Sequence, residues 1–131
     1  MSLEQLNVLI VDDVNTIRVH VKELLKASGF KSVFSAGSVA QATEILAKEK
    51  IDLVLCDLHM EGPNGLEFLK TLRGNPTFAD VAFVMVTAEN TMDQILAAVQ
   101  AGVDDYLLKP LTAASVQDKV TRALKKRKKI P

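Results

Sequence analysis

Short apolar runs alternate along this chain with longer segments in which apolar residues recur at helical spacing. That alternation admits few folds, chief among them repeated βα units around a parallel sheet. Five such units can be read. The runs Val8-Leu9-Ile10-Val11, Leu53-Val54-Leu55-Cys56 and Ala82-Phe83-Val84-Met85-Val86 are continuous, as strands are when helices cover both faces of a sheet. Shorter strands are expected near Val33-Phe34-Ser35-Ala36 and Tyr106-Leu107-Leu108, from their place in the repeat.

Between the runs, Val14, Ile17, Val21, Leu24 and Leu25 share one helical face, and Gly29 is placed to end that helix. Val39, Ala42, Ile45 and Leu46 define a second core-facing helix. Leu66, Leu69 and Leu72 mark a third, closed by Gly74-Asn75-Pro76; Met92, Ile95, Leu96 and Val99 mark a fourth, stopped near Gly102. Pro110 precedes a last helix with the stripe Val116, Val120, Ala123 and Leu124. One domain over 1–131 is expected, with a core from about 6 to 124 and a frayed, exposed basic end at 125–131.

The bulk numbers exclude several classes. No apolar run approaches the roughly 20 residues of a membrane helix, and the N-terminus lacks the basic and apolar segments of a secretory signal, so a cytoplasmic protein is expected. The single cysteine, Cys56, sits in an apolar run, where a buried small hydrophobe is the simplest reading. Net charge is zero, but Lys125, Lys126, Arg127, Lys128 and Lys129 leave the rest of the chain with eleven basic against sixteen acidic groups. Such a tail can complement a helix C-terminus without any nucleic-acid partner.

In an open parallel sheet, ligands bind beyond the carboxyl ends of the strands. There the sequence places Asp12-Asp13, Asp57, Thr87-Ala88-Glu89 and Lys109-Pro110, each after a different strand. Taken singly, Asp12 could cap the first helix, Asp57 could be a loop acid, Thr87 could cap the fourth helix and Lys109 could be a surface lysine. Jointly, carboxylates, a hydroxyl and an amine converge on one edge, and each has a role in phosphoryl transfer. Crowded carboxylates require neutralisation, and a hard dication such as magnesium suits an all-oxygen set while leaving room for a phosphate oxygen. Asp57 is then the nucleophile, Lys109 a second positive point, and Thr87 a hydrogen-bond donor whose movement toward phosphate would shift the following loop and helix.

These residues resemble the receiver domains of two-component response regulators over nearly the whole chain: an acidic pair after the first strand, an acceptor after the third, Thr after the fourth and Lys-Pro after the fifth. The resemblance implies a flavodoxin-like (βα)5 three-layer α/β sandwich with a five-stranded parallel sheet in the order 2-1-3-4-5, an order named for a chemotaxis receiver. It implies that Asp13, Asp57 and the backbone carbonyl of His59 ligate magnesium, for which manganese can substitute, while Asp12 holds a metal-bound water. It implies that Tyr106 swings inward as Thr87 moves; core packing at a strand end is the alternative role. It also implies that His59 and Glu89 tune phosphoryl lifetime by restricting water, the alternative for His59 being an exposed loop residue.

The chain departs from the family pattern in two places. Glu61 stands where many members have proline, with Pro63 two residues on, and Leu58-His59 replaces the Trp-Asn of many chemotaxis regulators. A related phosphatase would need an Asp at His59 and would not need Asp12-Asp13; a flavin site would need a Ser-, Thr- or Gly-rich loop where those acids stand. The expected protein is a phosphoacceptor rather than a turnover enzyme. Its expected partners are a histidine kinase or phosphotransfer domain and an effector reading the fourth helix, fifth strand and fifth helix, with the protein a monomer or a phosphorylation-linked dimer. The remaining alternatives are a phosphorylation-independent interaction module of the same fold, or a receiver cut from a larger DNA-binding or enzymatic regulator.

Overall fold

Strand and helix alternate because the sequence alternates continuous apolar runs with amphipathic segments. The computed structural model describes residues 2–60, 62, 64–88 and 91–131. Among these, a 3-10 turn at Leu3–Gln5 leads into β1 (Asn7–Val11), α1 (Asn15–Ala27), β2 (Ser32–Ala36), α2 (Val39–Lys48), β3 (Leu53–Asp57), α3 (Gly65–Arg73), β4 (Ala82–Thr87), α4 (Met92–Gln100), β5 (Asp105–Leu108) and α5 (Ala113–Lys126). The strands pair in parallel in the order β2-β1-β3-β4-β5. The flavodoxin-like α/β architecture is therefore as expected.

Successive strand residues face opposite sides, so each strand feeds two cores. Val8, Ile10, Leu53, Leu55, Val84, Val86 and Leu107 join Val21 and Leu25 of α1 and Val116, Val120 and Leu124 of α5. Leu9, Val11, Val54, Cys56, Phe83 and Met85 join residues of α2, α3 and α4 on the other face. Within that second core, Phe68 of α3 meets Phe83 of β4 edge-on, with ring centroids 6.1 Å apart. Side-chain caps begin four helices: Ser38 accepts from the Gln41 N–H, Asn64 from Glu67, Thr91 from Gln94 and Thr112 from Ser115.

Three packing expectations need correction. Val14 is the residue before α1 and is 43% exposed, because the chain is still extended there and its side chain falls outside the helical stripe. In α4 the residues that reveal the helix are not those it buries. Met92, Leu96 and Val99 are 69%, 49% and 58% exposed, while Ala98 is buried and Ala101 packs against the core. The helix lies over the edge of the sheet on its small face, which turns the larger apolar residues outward.

The third correction concerns the basic end, which folds back instead of fraying. Lys128 adopts a left-handed conformation with φ 58°, and the Lys129 N–H donates to the Leu124 carbonyl at 2.8 Å, closing α5. Ile130 then packs against the α1/α5 core. The Arg127 Nε donates to Asp104 at 2.8 Å, and both Arg127 and Lys129 pair with Asp80.

Asp104 explains why this end is ordered. Its side chain is fully buried between α4 and β5 and accepts hydrogen bonds from the Phe83 N–H (2.9 Å), Arg73 (3.0 Å) and Arg127 (2.8 Å). Burial pushes the Arg73 guanidinium below its ordinary value, and the Asp104 charge opposes that shift. Arg73 also donates to the carbonyls of Gly102, Ala79 and Val81, so one buried carboxylate ties α3, β4, β5 and α5 together. Asp104→Ala is expected to cost about 3–5 kcal/mol, because it strands two cations and a backbone N–H. Asp104→Asn, which keeps an acceptor, should cost less; equal denaturant midpoints for wild type and Asp104→Ala would contradict the assignment.

Candidate functional site

The strand order places the site. From β1 the chain moves to β2 on one side and then to β3 on the other, so the direction of winding reverses between β1 and β3, where a crevice opens at the carboxyl ends. Asp12 and Asp13 follow β1 directly, and Asp57 is the last residue of β3. Carboxylate oxygens of all three lie within 4.8 Å of one another. Asp12 and Asp57 are buried and Asp13 is exposed, so the cluster opens to solvent on one side.

Lys109, after β5, reaches in from across the edge. Its Nζ is 3.4 Å from Asp57 Oδ2 and 3.8 Å from Asp12 Oδ2, with the side chain about one-quarter exposed. Its backbone N–H donates to the Thr87 carbonyl at 2.9 Å, and the Lys109–Pro110 peptide is cis. Thr87 ends β4, is fully buried, and stands one residue beyond Val86, the register partner of Asp57. Five of the sequence-derived residues therefore meet at one edge. The isolated readings fall away for two of them: the cap of α4 is Thr91 and not Thr87, and Lys109 is ion-paired. The carboxylate of Asp12 does accept from the Val14 N–H at 2.9 Å, so it serves the start of α1 as well as the site.

Electrostatics favour a cation here. Burial raises the Asp12 carboxyl above its ordinary value; the Val14 N–H and Lys109 oppose the rise, while Asp57 and Asp13 add to it. Burial also pushes the Cys56 thiol well up, reinforced by Asp57 and Asp12, so this cysteine is an inert core residue. An all-oxygen donor set, crowded and open on one side, fits a hard dication such as magnesium.

The remaining candidates are placed less centrally. His59 is exposed, and its N–H lies 3.4 Å from Asp57 Oδ1. Tyr106 is half-buried, sits opposite Met85 in the register and packs against the α2–α4 core. Glu89 lies outside the described residues, as do Glu61 and Pro63.

Two residues shape the site without having been anticipated. A Cβ added at Gly65 would collide with the Asp57 carbonyl oxygen and stand 2.9 Å from Met85 Sδ, so only glycine lets α3 begin against the end of β3. Arg18 donates from Nη1 to the Asp12 carbonyl at 2.6 Å. A glycine beginning a helical pattern and an arginine one turn into it carry no chemical signature in sequence.

The sequence matches the family model of the response regulator receiver domain over residues 8–121, and the chain belongs to that family. It is 37% identical to the chemotaxis protein CheY-3 of Vibrio cholerae over 119 residues, covering 91% of this chain and 92% of the relative. It is 35% identical to the chemotaxis protein CheY of Pseudomonas aeruginosa over 117 residues, covering 89% and 94%. Among solved structures, the Vibrio cholerae chemotaxis protein CheY4 superposes with a TM-score of 0.85 at 26% identity, covering 91% of this chain and 98% of that one. The chain is thus a receiver of chemotaxis type, although Leu58-His59 differs from the pair common in chemotaxis regulators. Receiver domains are signalling proteins rather than turnover enzymes, bind magnesium at an acidic pocket, and interact with histidine kinases or phosphotransfer proteins and with effectors.

The raised Asp12 carboxyl makes a signed prediction. A folded-state carboxyl above its ordinary value of 3.8 binds its proton better folded than unfolded. Its effect on stability therefore worsens as pH rises from 3.8 through the raised value. In metal-free buffer Asp12→Asn is expected to melt above wild type at pH 7, with the gap closing toward pH 4. Thermal melts at both pH values check this, and a lower melting temperature for the variant at pH 7 would contradict it.

Proposed function

We propose that the protein is a phosphoacceptor switch: Asp57 takes a phosphoryl group from the histidine of a kinase or phosphotransfer domain, and the changed surface controls an effector. The observation that carries this reading is the meeting of Asp12, Asp13 and Asp57 within 4.8 Å, with the Lys109 ammonium 3.4 Å from the Asp57 carboxylate. A carboxylate oxygen of Asp57 attacks phosphorus, an acyl phosphate bond forms, and the bond to the donor imidazole nitrogen breaks as the imidazole leaves. Asp13, Asp57 and the His59 carbonyl would hold magnesium, or manganese in its place, with Asp12 binding a metal-bound water. Bound there, the ion offsets the negative charge brought together as phosphate approaches carboxylate.

The chain's own groups do the rest. Lys109 pairs with Asp57 before transfer and with a phosphoryl oxygen afterwards. The Thr87 hydroxyl donates to another phosphoryl oxygen. Because the Thr87 carbonyl is bonded to the Lys109 N–H, displacement at the end of β4 is passed to β5, where Tyr106 turns inward. Exposed Met92, Leu96 and Val99 of α4 and exposed Leu108 of β5 supply apolar surface for the effector to read.

Residues 1–131 act in this reading as one cytoplasmic receiver domain, with its core at about 6–124 and its basic end at 125–131 closing α5. It works as a monomer or a phosphorylation-linked dimer. Arg127 and Lys129 are committed to Asp80 and Asp104, which leaves fewer free cations for a nucleic acid than the tail's composition implies, and none is proposed as a partner. Among the described residues no helix is long and apolar enough to cross a membrane, and no membrane partner is proposed.

Intact mass after incubation with a small phosphodonor tests the reading. One magnesium-dependent phosphoryl adduct is expected on the wild type and none on Asp57→Asn. An unlabelled wild type, under conditions that label another receiver, would instead favour a phosphorylation-independent binding module. His59, exposed at the acceptor, and Glu89 are proposed to restrict the water that hydrolyses the acyl phosphate. His59→Ala is expected to change the dephosphorylation rate measured after donor removal, and an unchanged rate would remove His59 from that role.

A further inference from the structure

The start of α1 carries a cation, Arg18, whose side chain bonds to the acidic turn and to the first turn of the helix. The Arg18 Nη1 donates to the Asp12 carbonyl at 2.6 Å, and Nη2 donates to Asn15 Oδ1 at 3.2 Å. The guanidinium lies against the β2–α2 turn, where Gly37 leaves room for it: a Cβ added there would stand 3.1 Å from Nη1. The same turn is fastened by the Gly37 N–H donating to Gln41 Oε1 at 2.7 Å.

The carbonyl that Arg18 holds belongs to the peptide joining Asp12 to Asp13. Asp12 is fixed at two further points, since its N–H donates to the Ala36 carbonyl at 3.1 Å and its Oδ1 accepts from the Val14 N–H at 2.9 Å. The second of these closes an Asx turn around the peptide that leads to Asp13, and the Arg18 bond adds a separate hold on that peptide's own carbonyl oxygen. Because the peptide is planar, a donor on its carbonyl oxygen fixes its N–H and the direction of the next Cα together. Arg18 presents a rigid fork whose second arm is anchored on Asn15, so it can hold that plane against rotation.

We propose that Arg18 is a positioning residue for the metal site: its hydrogen bond to the Asp12 carbonyl holds the Asp12–Asp13 peptide in the orientation that lets both carboxylates share a divalent cation with Asp57. This rests on the magnesium-binding reading of that cluster. Two consequences of removing Arg18 have opposite signs. Loss of a positive charge beside the site would by itself tighten cation binding, whereas loss of the hydrogen bond lets the turn rotate and weakens it. Supporting groups behind metal ligands typically govern affinity by about 10–100-fold, and the positioning effect should win.

The test is magnesium titration by calorimetry on the unphosphorylated protein, so that the readout is binding and not phosphoryl transfer. Arg18→Met keeps the aliphatic stem but neither charge nor donor, and is expected to weaken magnesium binding by about tenfold. Arg18→Lys keeps the charge and one donor, and is expected to recover most of the loss. Unchanged or tighter binding in Arg18→Met, or equal weakening in both variants, overturns the proposal. If Arg18→Met loses its cooperative melt, Asn15→Ala carries the test. It alters an exposed residue, frees the second arm of the guanidinium, and is expected to weaken binding by a smaller factor in the same direction; unaltered affinity in it then overturns the proposal. A wild type that binds no magnesium refutes the metal-site reading itself, and this inference with it. Wild-type binding with unaltered variants refutes only the role of Arg18.

Discussion

Three carboxylates within 4.8 Å of one another are the constraint to which the rest of this structure answers. Left alone they would push β1 and β3 apart, since like charges at such distances disfavour the ionised forms and each other's burial. The parallel ladder keeps them in place: Val8 through Val11 pair with Leu53 through Cys56, in a core that excludes water on both faces. Lys109 supplies the nearest opposite charge from a different strand. The site is therefore held under electrostatic tension by hydrophobic burial elsewhere, a tension that a bound cation would relieve.

The opposite end of the sheet is built on the reverse principle. There a single buried carboxylate, Asp104, is satisfied by two guanidinium groups and a backbone N–H, with no demand for a ligand. The contrast separates the acidic cluster proposed to function from a structural one in the same fold. Asp12, Asp13 and Asp57 present more negative groups than the neighbouring ammonium can offset, whereas Asp104 is surrounded by more positive charge than it carries. Arg127 comes from the basic tail, so a segment whose composition points to solvent or nucleic acid is partly spent on closing this end.

Much of this was legible in the sequence because the governing signals are local. Continuous apolar runs located β1, β3 and β4, and the polar residues directly after them located Asp12, Asp13, Asp57 and Thr87. Strand order was not readable from periodicity, since β pairing depends on contacts distant in the chain; it came with the family resemblance. The helical stripe found α4 but not its orientation, because periodicity shows that a face is apolar without showing what covers it. The roles of Gly65, Arg18 and Asp104 were hidden for a related reason. Each acts through a backbone group or an ion on another element, and nothing in its own neighbourhood marks that partner.

The geometry also bears on the proposed switch. The Thr87 carbonyl and the Lys109 N–H share a hydrogen bond across β4 and β5, so the two groups proposed to touch phosphate are mechanically joined. A backbone shift at one is passed to the other, and β5 is short, at the edge, and only partly buried at Tyr106. Edge strands with few neighbours are the least costly part of a sheet to shift. Asp57, by contrast, sits at the end of a fully buried strand, where movement is most costly. In the proposed switch the acceptor then lies where the sheet is rigid and the reporting surface where it yields, so a charge added at the first would be read at the second.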